Sequence, residues 1–275
     1  MVKNWKTGDR VTVPFVCGCG SCSFCEAGDQ QVCPHQFQPG FTAWGSFARF
    51  VMVEHAEENL VRLPENLNFT TAASLGCRLA TAYRAVAHQA RIKAGDWIAV
   101  HGCGGVGLAA IMIAHALGAR PIAIDIDPAK LSRARQLGAL NTVDASRADV
   151  CSDIIHLTGG GARSSIDAVG SSVTANNSIN CLRSRGRHVQ VGLMTGEDSL
   201  SVVPFDRIVA KELELHGSHG MQAYNYQALF ALISQGSIDP AQLISHTITL
   251  EEAPSVLTTE SAFQETGIVV VDRIT

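Results

Sequence analysis

The chain has 275 residues, 46% of them hydrophobic and 17% charged, with a net charge of −4 at pH 7. Such totals suit a folded, core-rich protein and exclude a disordered one. The 21 basic residues gather into no block, which argues against a nucleic-acid or acidic-membrane partner. Met1 to Arg10 hold no apolar signal core, and no run of 18 apolar residues occurs, so a cytoplasmic protein is expected. Nine cysteines in that reducing setting point to metal or thiol chemistry instead of disulfides.

Val11 to Phe15 reads as a short strand entering a cysteine-rich loop. Cys19, Cys22, Cys25 and Cys33 give Cys-x-x-Cys-x-x-Cys-x(7)-Cys, and Gly18, Gly20 and Gly28 let the backbone wrap tightly. Four thiolates within 15 positions can surround one tetrahedral zinc, leaving no coordination position open to substrate. Buried free cysteines rarely cluster in a polar Gly/Ser loop. An iron–sulfur cluster is the sharper rival, because paired Cys-x-x-Cys steps also begin ferredoxin motifs; the long last gap and the lack of a second cluster motif favour zinc. Cys17 lies outside the spacing and reads as a spare thiol.

Residues 41 to 63 look like β structure, with Phe47 to Val53 the clearest strand and Pro64 closing it. Thr70 to Leu75 reads as the capped start of a helix that continues through Cys77 to Tyr83. A lone cysteine on a helix is more often packing than a ligand.

From Trp97 the pattern alternates regularly. Trp97 to His101 is a β-prone run, Gly102 to Gly107 a glycine turn, and Leu108 to Leu117 an apolar helix stopped by Gly118. Pro121 to Ile124 is a strand finishing on Asp125. Then follow a helix from Asp127 or Pro128 to Leu137, a strand at Asn141 to Val143 and a helix at Asp149 to Leu157. Thr158 to Gly161 is a loop, Ser165 to Val169 a strand, Ser171 to Leu182 a helix, and Arg187 to Val191 and Glu214 to Gly217 two further strands. This alternation predicts a parallel sheet with helices on both faces. In the tail, Tyr224 to Ser234 reads as a helix. Leu243 to Leu250 and Gly267 to Arg273 read as β or edge elements that could pair with the N-terminal β region.

A strand, a glycine turn, a helix and a strand ending in an acid are the parts of a dinucleotide-binding βαβ unit. Gly102-x-Gly104-x-x-Gly107 is weak alone, but here it joins a strand to a helix, and Asp125 follows Gly107 by 18 residues. The glycines let the backbone approach a pyrophosphate, to which the helix N-terminus offers free N–H groups. Asp125 can accept from both ribose hydroxyls and would repel a 2′-phosphate, favouring NAD over NADP. His101 and Cys103 flank the turn without an assigned chemical role. Lys130 reads equally well as a solvated residue or a ribose neighbour.

The order Gly8-Asp9-Arg10-Val11, the four-cysteine lobe, Gly45-Ser46-Phe47-Ala48, Ala72-Ala73-x-x-Gly76-Cys77-Arg78 and the Gly102 to Gly107 turn with Asp125 strongly resembles zinc-dependent medium-chain alcohol dehydrogenases. The resemblance runs over essentially the whole chain. It implies a Rossmann-type doubly wound parallel sheet over residues 80–221, and an incomplete GroES-like β domain over 1–79 and 222–275. It implies that Cys19, Cys22, Cys25 and Cys33 hold a structural zinc and that Cys77 is a catalytic zinc ligand. Thr81 and Val106 match residues near the nicotinamide, and Asp125 and Lys130 match contacts to the adenosine ribose. Val169, Gly170, Val191, Gly192 and Leu193 match strand-end contacts to the cofactor, to which Gly102, Gly104, Gly105 and Gly107 add the turn. The family's other catalytic cysteine, its proton-relay Ser or Thr and its Gly-His-Glu motif find no match here, so a catalytic domain without its N-terminal part is expected; His35 and His55 read as surface or loop histidines.

What the family implies is zinc-assisted hydride transfer between NAD and a small alcohol, aldehyde or ketone, in a homodimer or homotetramer. One alternative is a shortened relative that binds NAD and structural zinc with little catalysis. Another is a zinc-independent quinone or enoyl reductase, which the cysteine lobe and Asp125 disfavour.

Overall fold

The protein is described here by a computed structural model covering residues 2–147, 149–259 and 266–274. It divides into two units, Met1–Ala80 with His219–Thr275, and Thr81–Ser218. Part of the tail expected in the β domain, residues 260–265, lies outside the described residues.

The first unit opens with β1 (Val11–Thr12), shorter than the sequence suggests because Pro14 has no N–H to extend a ladder. A single helical turn, α1 (Ser23–Glu26), lies inside the cysteine loop, and α2 (Ala56–Asn59) precedes β2 (Val61–Arg62). β1 and β2 pair antiparallel, and Arg62 crosses to the Asp9 carboxylate at 3.0 Å. Asn68 Oδ1 accepts the Thr71 N–H at 2.7 Å and so starts α3 (Phe69–Ala73). The helix then widens into a π turn over Leu75–Leu79, passes through α4 (Ala80–Tyr83) and widens again over Arg84–Gln89.

One expectation fails here. Phe47 to Val53 forms no strand, and Phe47, Phe50 and Met52 are 60%, 84% and 68% exposed. A largely apolar run, broken here only by Arg49, holds as a strand when neighbours cover it. No strand among the described residues pairs with this one.

The second unit is the alternating half. β3 (Trp97–His101) leads to α5 (Gly105–Ala116), β4 (Arg120–Asp125), α6 (Pro128–Gln136) and β5 (Asn141–Asp144). After α7 (Val150–Thr158) come β6 (Ala162–Asp167), α8 (Ser172–Asn180), β7 (Leu182–Gln190), α9 (Phe205–Lys211) and β8 (Glu214–Gly217). All six strands run parallel in the order β5-β4-β3-β6-β7-β8, so the winding reverses between β3 and β6. Asp127 caps α6 with Pro128 in its first turn, Asp149 caps α7, and Ser171 with Thr174 forms a capping box on α8.

Ile122, Ile124, Val143, Ile154, Ile179 and Leu182 form a core with Ala99. Helix α5 is apolar and buried from Gly107 to Ala114. Several boundaries differ from the sequence reading, two of them in β6 and β7. Leu182 belongs to β7 because it pairs with Ala162 of β6, and β6 stops at Asp167, leaving Val169 in the turn beyond the strand.

The chain returns to the first unit through α10 (Tyr226–Ser234), β9 (Ile244–Thr249), α11 (Ala253–Thr258) and β10 (Ile268–Arg273). β9 and β10 pair with each other in parallel, which corrects the expected pairing with the N-terminal β region. Parallel strands need a crossover connection between them, a non-local pairing that alternation cannot reveal.

Candidate functional site

The sheet's reversal point lies between β3 and β6, where a doubly wound fold leaves a crevice at the C-terminal strand ends. At its β3 side Gly102 has φ +91°, and a Cβ there would lie 2.5 Å from the Val169 side chain. Gly107 packs so closely that a Cβ would sit 1.8 Å from the Gly102 carbonyl oxygen. The turn is therefore closed by glycine at both ends. Gly104 caps α5 without a side-chain hydrogen bond, and a Cβ on it would meet nothing within 4 Å. Open space before a twelve-residue helix whose first N–H groups have no side-chain cap fits a pyrophosphate. Gly105 and Val106, both half-buried, form the first helical positions.

Asp125 ends β4 beside this turn. Its Oδ2 accepts the Cys103 N–H at 2.7 Å and its Oδ1 accepts the Asp127 N–H at 3.0 Å. Two backbone donors thus fix the carboxylate, whose remaining lone pairs are the acceptors a ribose diol needs. Lys130, half-buried in the first turns of α6, lies near the same turn: burial chiefly raises the Cys103 thiol, and the Lys130 charge partly opposes it.

Across the crevice, Val169 and Gly170 follow β6, while Val191, Gly192 and Leu193 follow β7. The two turns touch: a Cβ on Gly192 would lie 2.2 Å from the Gly170 nitrogen. Val169 and Leu193 are 51% and 76% exposed and so remain available to a ligand. Thr81 is buried, and its Oγ1 has no partner among the described residues. Sequence reasoning missed Asp167 and Gln190, which tie the two turns together. An acid closing a strand is part of the signal that marked Asp125, and Asp167 closes β6 in the same way, three residues before Gly170.

In the first unit, the sulfurs of Cys19, Cys22, Cys25 and Cys33 all lie within 4.8 Å of one another. Cys22 Sγ is 3.7 Å from Cys33 Sγ, and Cys19 Sγ is 4.0 Å from Cys25 Sγ. Tetrahedral bonds of about 2.3 Å place sulfurs about 3.8 Å apart, so the four residues fit one zinc. The Cys19 and His35 N–H groups donate to Cys33 Sγ at 3.4 and 3.3 Å. Backbone hydrogen bonding from Ser21 lowers the Cys19 thiol to about 6, while burial pushes Cys25 up to about 12. Asn59 holds Gly18 through both amide atoms at 2.9 Å, and Gln222 and Tyr224 donate to the Gly28 carbonyl at 3.0 and 2.9 Å. Cys17 stands apart, its buried thiol donating to Pro14 O at 3.4 Å.

Cys77 sits on the first π turn, exposed, in a groove with Ser46, Phe47, Arg78 and Val270. π widening is common at functional positions. The Gly76 carbonyl before it accepts from the Phe15 N–H and the Tyr226 hydroxyl, at 3.2 and 3.4 Å. A catalytic zinc takes about three protein ligands. Among the described residues Cys77 belongs to no group of three or more His, Cys, Asp or Glu side chains placed to share an ion, and His35 and His55 are exposed outside any such group. The described residues do not fit that second metal.

The fold and the glycine turn define a doubly wound domain of Rossmann type in a chain that also carries a four-cysteine lobe. The family profile described as zinc-binding dehydrogenase matches residues 105–235, and that described as alcohol dehydrogenase GroES-like domain matches residues 1–65. The chain belongs to the zinc-dependent medium-chain alcohol dehydrogenase family. It is 29% identical over 255 residues to a sorbitol dehydrogenase of Halalkalibacterium halodurans, covering 91% of this chain and 73% of that protein. It is 34% identical over 218 residues to an alcohol dehydrogenase of Rhizobium meliloti, covering 79% of this chain and 62% of that protein. The solved alcohol dehydrogenase TADH from Thermus sp. ATN1 superposes with a TM-score of 0.89 at 29% identity, over 98% of this chain and 80% of that one. The chain thus spans between 62% and 80% of these proteins' lengths. No helix among the described residues is long and apolar enough to cross a membrane.

Proposed function

We propose that the chain is an NAD-dependent oxidoreductase that interconverts a small alcohol with an aldehyde or ketone. The observation that carries this reading is the β3–turn–α5–β4 unit ending on Asp125 at the sheet's reversal point. The names of its relatives, alcohol dehydrogenase and sorbitol dehydrogenase, supply the substrate class.

In this reading Gly102, Gly104, Gly105, Val106 and Gly107 receive the pyrophosphate, while Asp125 with Lys130 reads the adenosine ribose. Asp125 repels a 2′-phosphate and so sets NAD above NADP. Thr81, Val169, Gly170, Val191, Gly192 and Leu193 border the nicotinamide end, where bulky exposed Val169 and Leu193 exclude water from one ring face. The bound cofactor supplies the hydride acceptor or donor. The protein's share is position, a dry ring face and the fixed dipoles of the helix N-terminus. Cys19, Cys22, Cys25 and Cys33 hold a structural zinc. Cys77 matches the family's catalytic zinc ligand by resemblance and has no further ligands beside it among the described residues. A cytoplasmic homodimer or homotetramer completes the proposal, with the open edge of β8 available for pairing.

A second reading rests on Cys77 standing without two further ligands among the described residues: NAD and structural zinc are held with little turnover. Assaying NADH formation by the verified 275-residue protein on primary and secondary alcohols separates the two. Alcohol-dependent NADH formation supports the dehydrogenase, and its absence with NADH still bound supports the second reading. Failure to bind NADH contradicts both. Metal analysis adds that about one zinc per chain means the lobe alone, and about two mean a second site at Cys77.

A further inference from the structure

The two turns proposed to carry the nicotinamide end are held by one side chain. Asp167 is the last residue of β6, fully buried, and stands in register with Gln190, the last residue of β7. Its Oδ1 accepts the N–H groups of Val169 and Gly170, at 2.9 and 3.2 Å. Its Oδ2 accepts Gln190 Nε2 at 2.9 Å, and the same Nε2 donates to the Gly192 carbonyl at 2.9 Å. Its main-chain oxygen accepts the N–H groups of Val191 and Gly192, at 3.0 and 2.9 Å. Three oxygens of one residue therefore take five donors drawn from both turns and from the side chain that bridges them.

The bridge is itself oriented from behind. With Gln190 Nε2 committed to Asp167 and Gly192, Gln190 Oε1 faces His188 Nε2 at 3.1 Å, which must donate. His188 Nδ1 then accepts the Ser178 hydroxyl at 2.9 Å. Burial lowers the His188 pKa, favouring the neutral ring that this tautomer requires. Ser178 and His188 are both buried, so solvent does not compete for these bonds.

We propose that Asp167 is a positioning residue that fuses the 168–170 and 191–193 turns into one platform for the nicotinamide half of the dinucleotide, with Gln190 as the bridge and His188 as the group that orients it. This rests on the cofactor reading above. A dinucleotide spans the reversal point, with one half toward β4 and Asp125 and the other toward β6 and β7. Disturbing Asp167 should therefore weaken the nicotinamide half and spare the adenosine half.

Asp167→Asn keeps the volume and one acceptor. If its oxygen stays on Val169 and Gly170, its amide faces the Gln190 amide, donor against donor. Turning the Gln190 amide over relieves that clash but sets Oε1 against the Gly192 carbonyl. Either way the 191–193 turn loses the side-chain tie through Gln190 and keeps only its main-chain bonds to Asp167.

The test uses the full chain and two probes, NADH and ADP, which shares only the adenosine and diphosphate parts. The expected result is an NADH dissociation constant raised about tenfold in Asp167→Asn, with ADP binding unchanged. Gln190→Leu leaves the Asp167 bonds to Val169 and Gly170 in place and should show a smaller loss of the same selectivity. In the unmodified chain, nitrogen NMR of His188 should place a proton on Nε2; a ring protonated on Nδ1 alone would reverse the Gln190 amide and overturn the proposal without any variant. Equal loss for both probes, or loss for neither, overturns it as well. If the unmodified chain binds neither probe, the cofactor reading falls and this proposal falls with it, whereas binding of both by the unmodified chain isolates the proposal.

Discussion

Replacing Cys22 by Ser tests the zinc lobe cleanly, because its local and metal effects have opposite signs. Cys22 is the N-cap of α1 and makes no side-chain capping bond. Ser is among the favoured N-caps, worth ~0.5–2 kcal/mol over Ala, so without a metal the substitution should leave α1 intact or firmer. With a metal it removes the sulfur 3.7 Å from Cys33 and leaves three ligands. Structural zinc contributes ~10–16 kcal/mol in zinc-finger peptides. That is comparable with the ~5–15 kcal/mol that holds a whole domain. The lobe also anchors Asn59 through Gly18 and the Gln222–Tyr224 segment through Gly28, so its loss should propagate to both. We expect Cys22→Ser to lose its zinc, to melt well below the parent, and to exchange amide hydrogens faster at residues 17–33, 59–62 and 222–226. Metal analysis, thermal melting and hydrogen exchange check this. A variant that keeps one zinc and melts like the parent refutes the four-cysteine assignment.

Gly107→Ala would push a methyl to 1.8 Å from the Gly102 carbonyl, where backbone must move; overpacking of this kind costs ~1–3 kcal/mol. Lowered melting temperature with loss of NADH binding is expected, and unchanged NADH affinity would contradict a turn closed by glycine. Arg62 beside Asp9, aided by the Lys6 N–H, holds the Asp9 carboxyl down at about 2 against an ordinary 3.8. A lowered folded value means the stabilisation is present above about pH 4 and fades as pH falls through about 2. In Arg62→Ala the NMR midpoint of Asp9 should rise toward 3.8, and an unmoved midpoint refutes the pairing.

The dinucleotide unit was legible because its determinants are local. A β-prone run, glycines at fixed offsets, an apolar helix and a strand-ending acid all fall within 29 consecutive residues. The cysteine lobe was legible for the same reason. What failed depended on partners distant in the chain. Phe47 to Val53 has strand composition but no described neighbour to pair with. β9 and β10 carry no mark of choosing each other over β1. Asp167 escaped notice because its importance lies in bonds to residues as far along as Gln190 and Gly192, which strand pairing alone brings near. Cys77 shows the opposite limit: the sequence implies its role by resemblance, while the described residues give it no partners for a metal.

A dinucleotide site at the β3–α5 turn, with Asp125 as its ribose reader, underlies the function proposed above. Its most direct test is to titrate the chain and Asp125→Ala with NADH and with NADPH and to compare the two dissociation constants within each protein. The unmodified chain should prefer NADH, and Asp125→Ala, which removes a charged hydrogen-bond acceptor, should lose that preference by about tenfold or more. Equal preference in the two proteins, or tighter binding of NADPH by the unmodified chain, would contradict it.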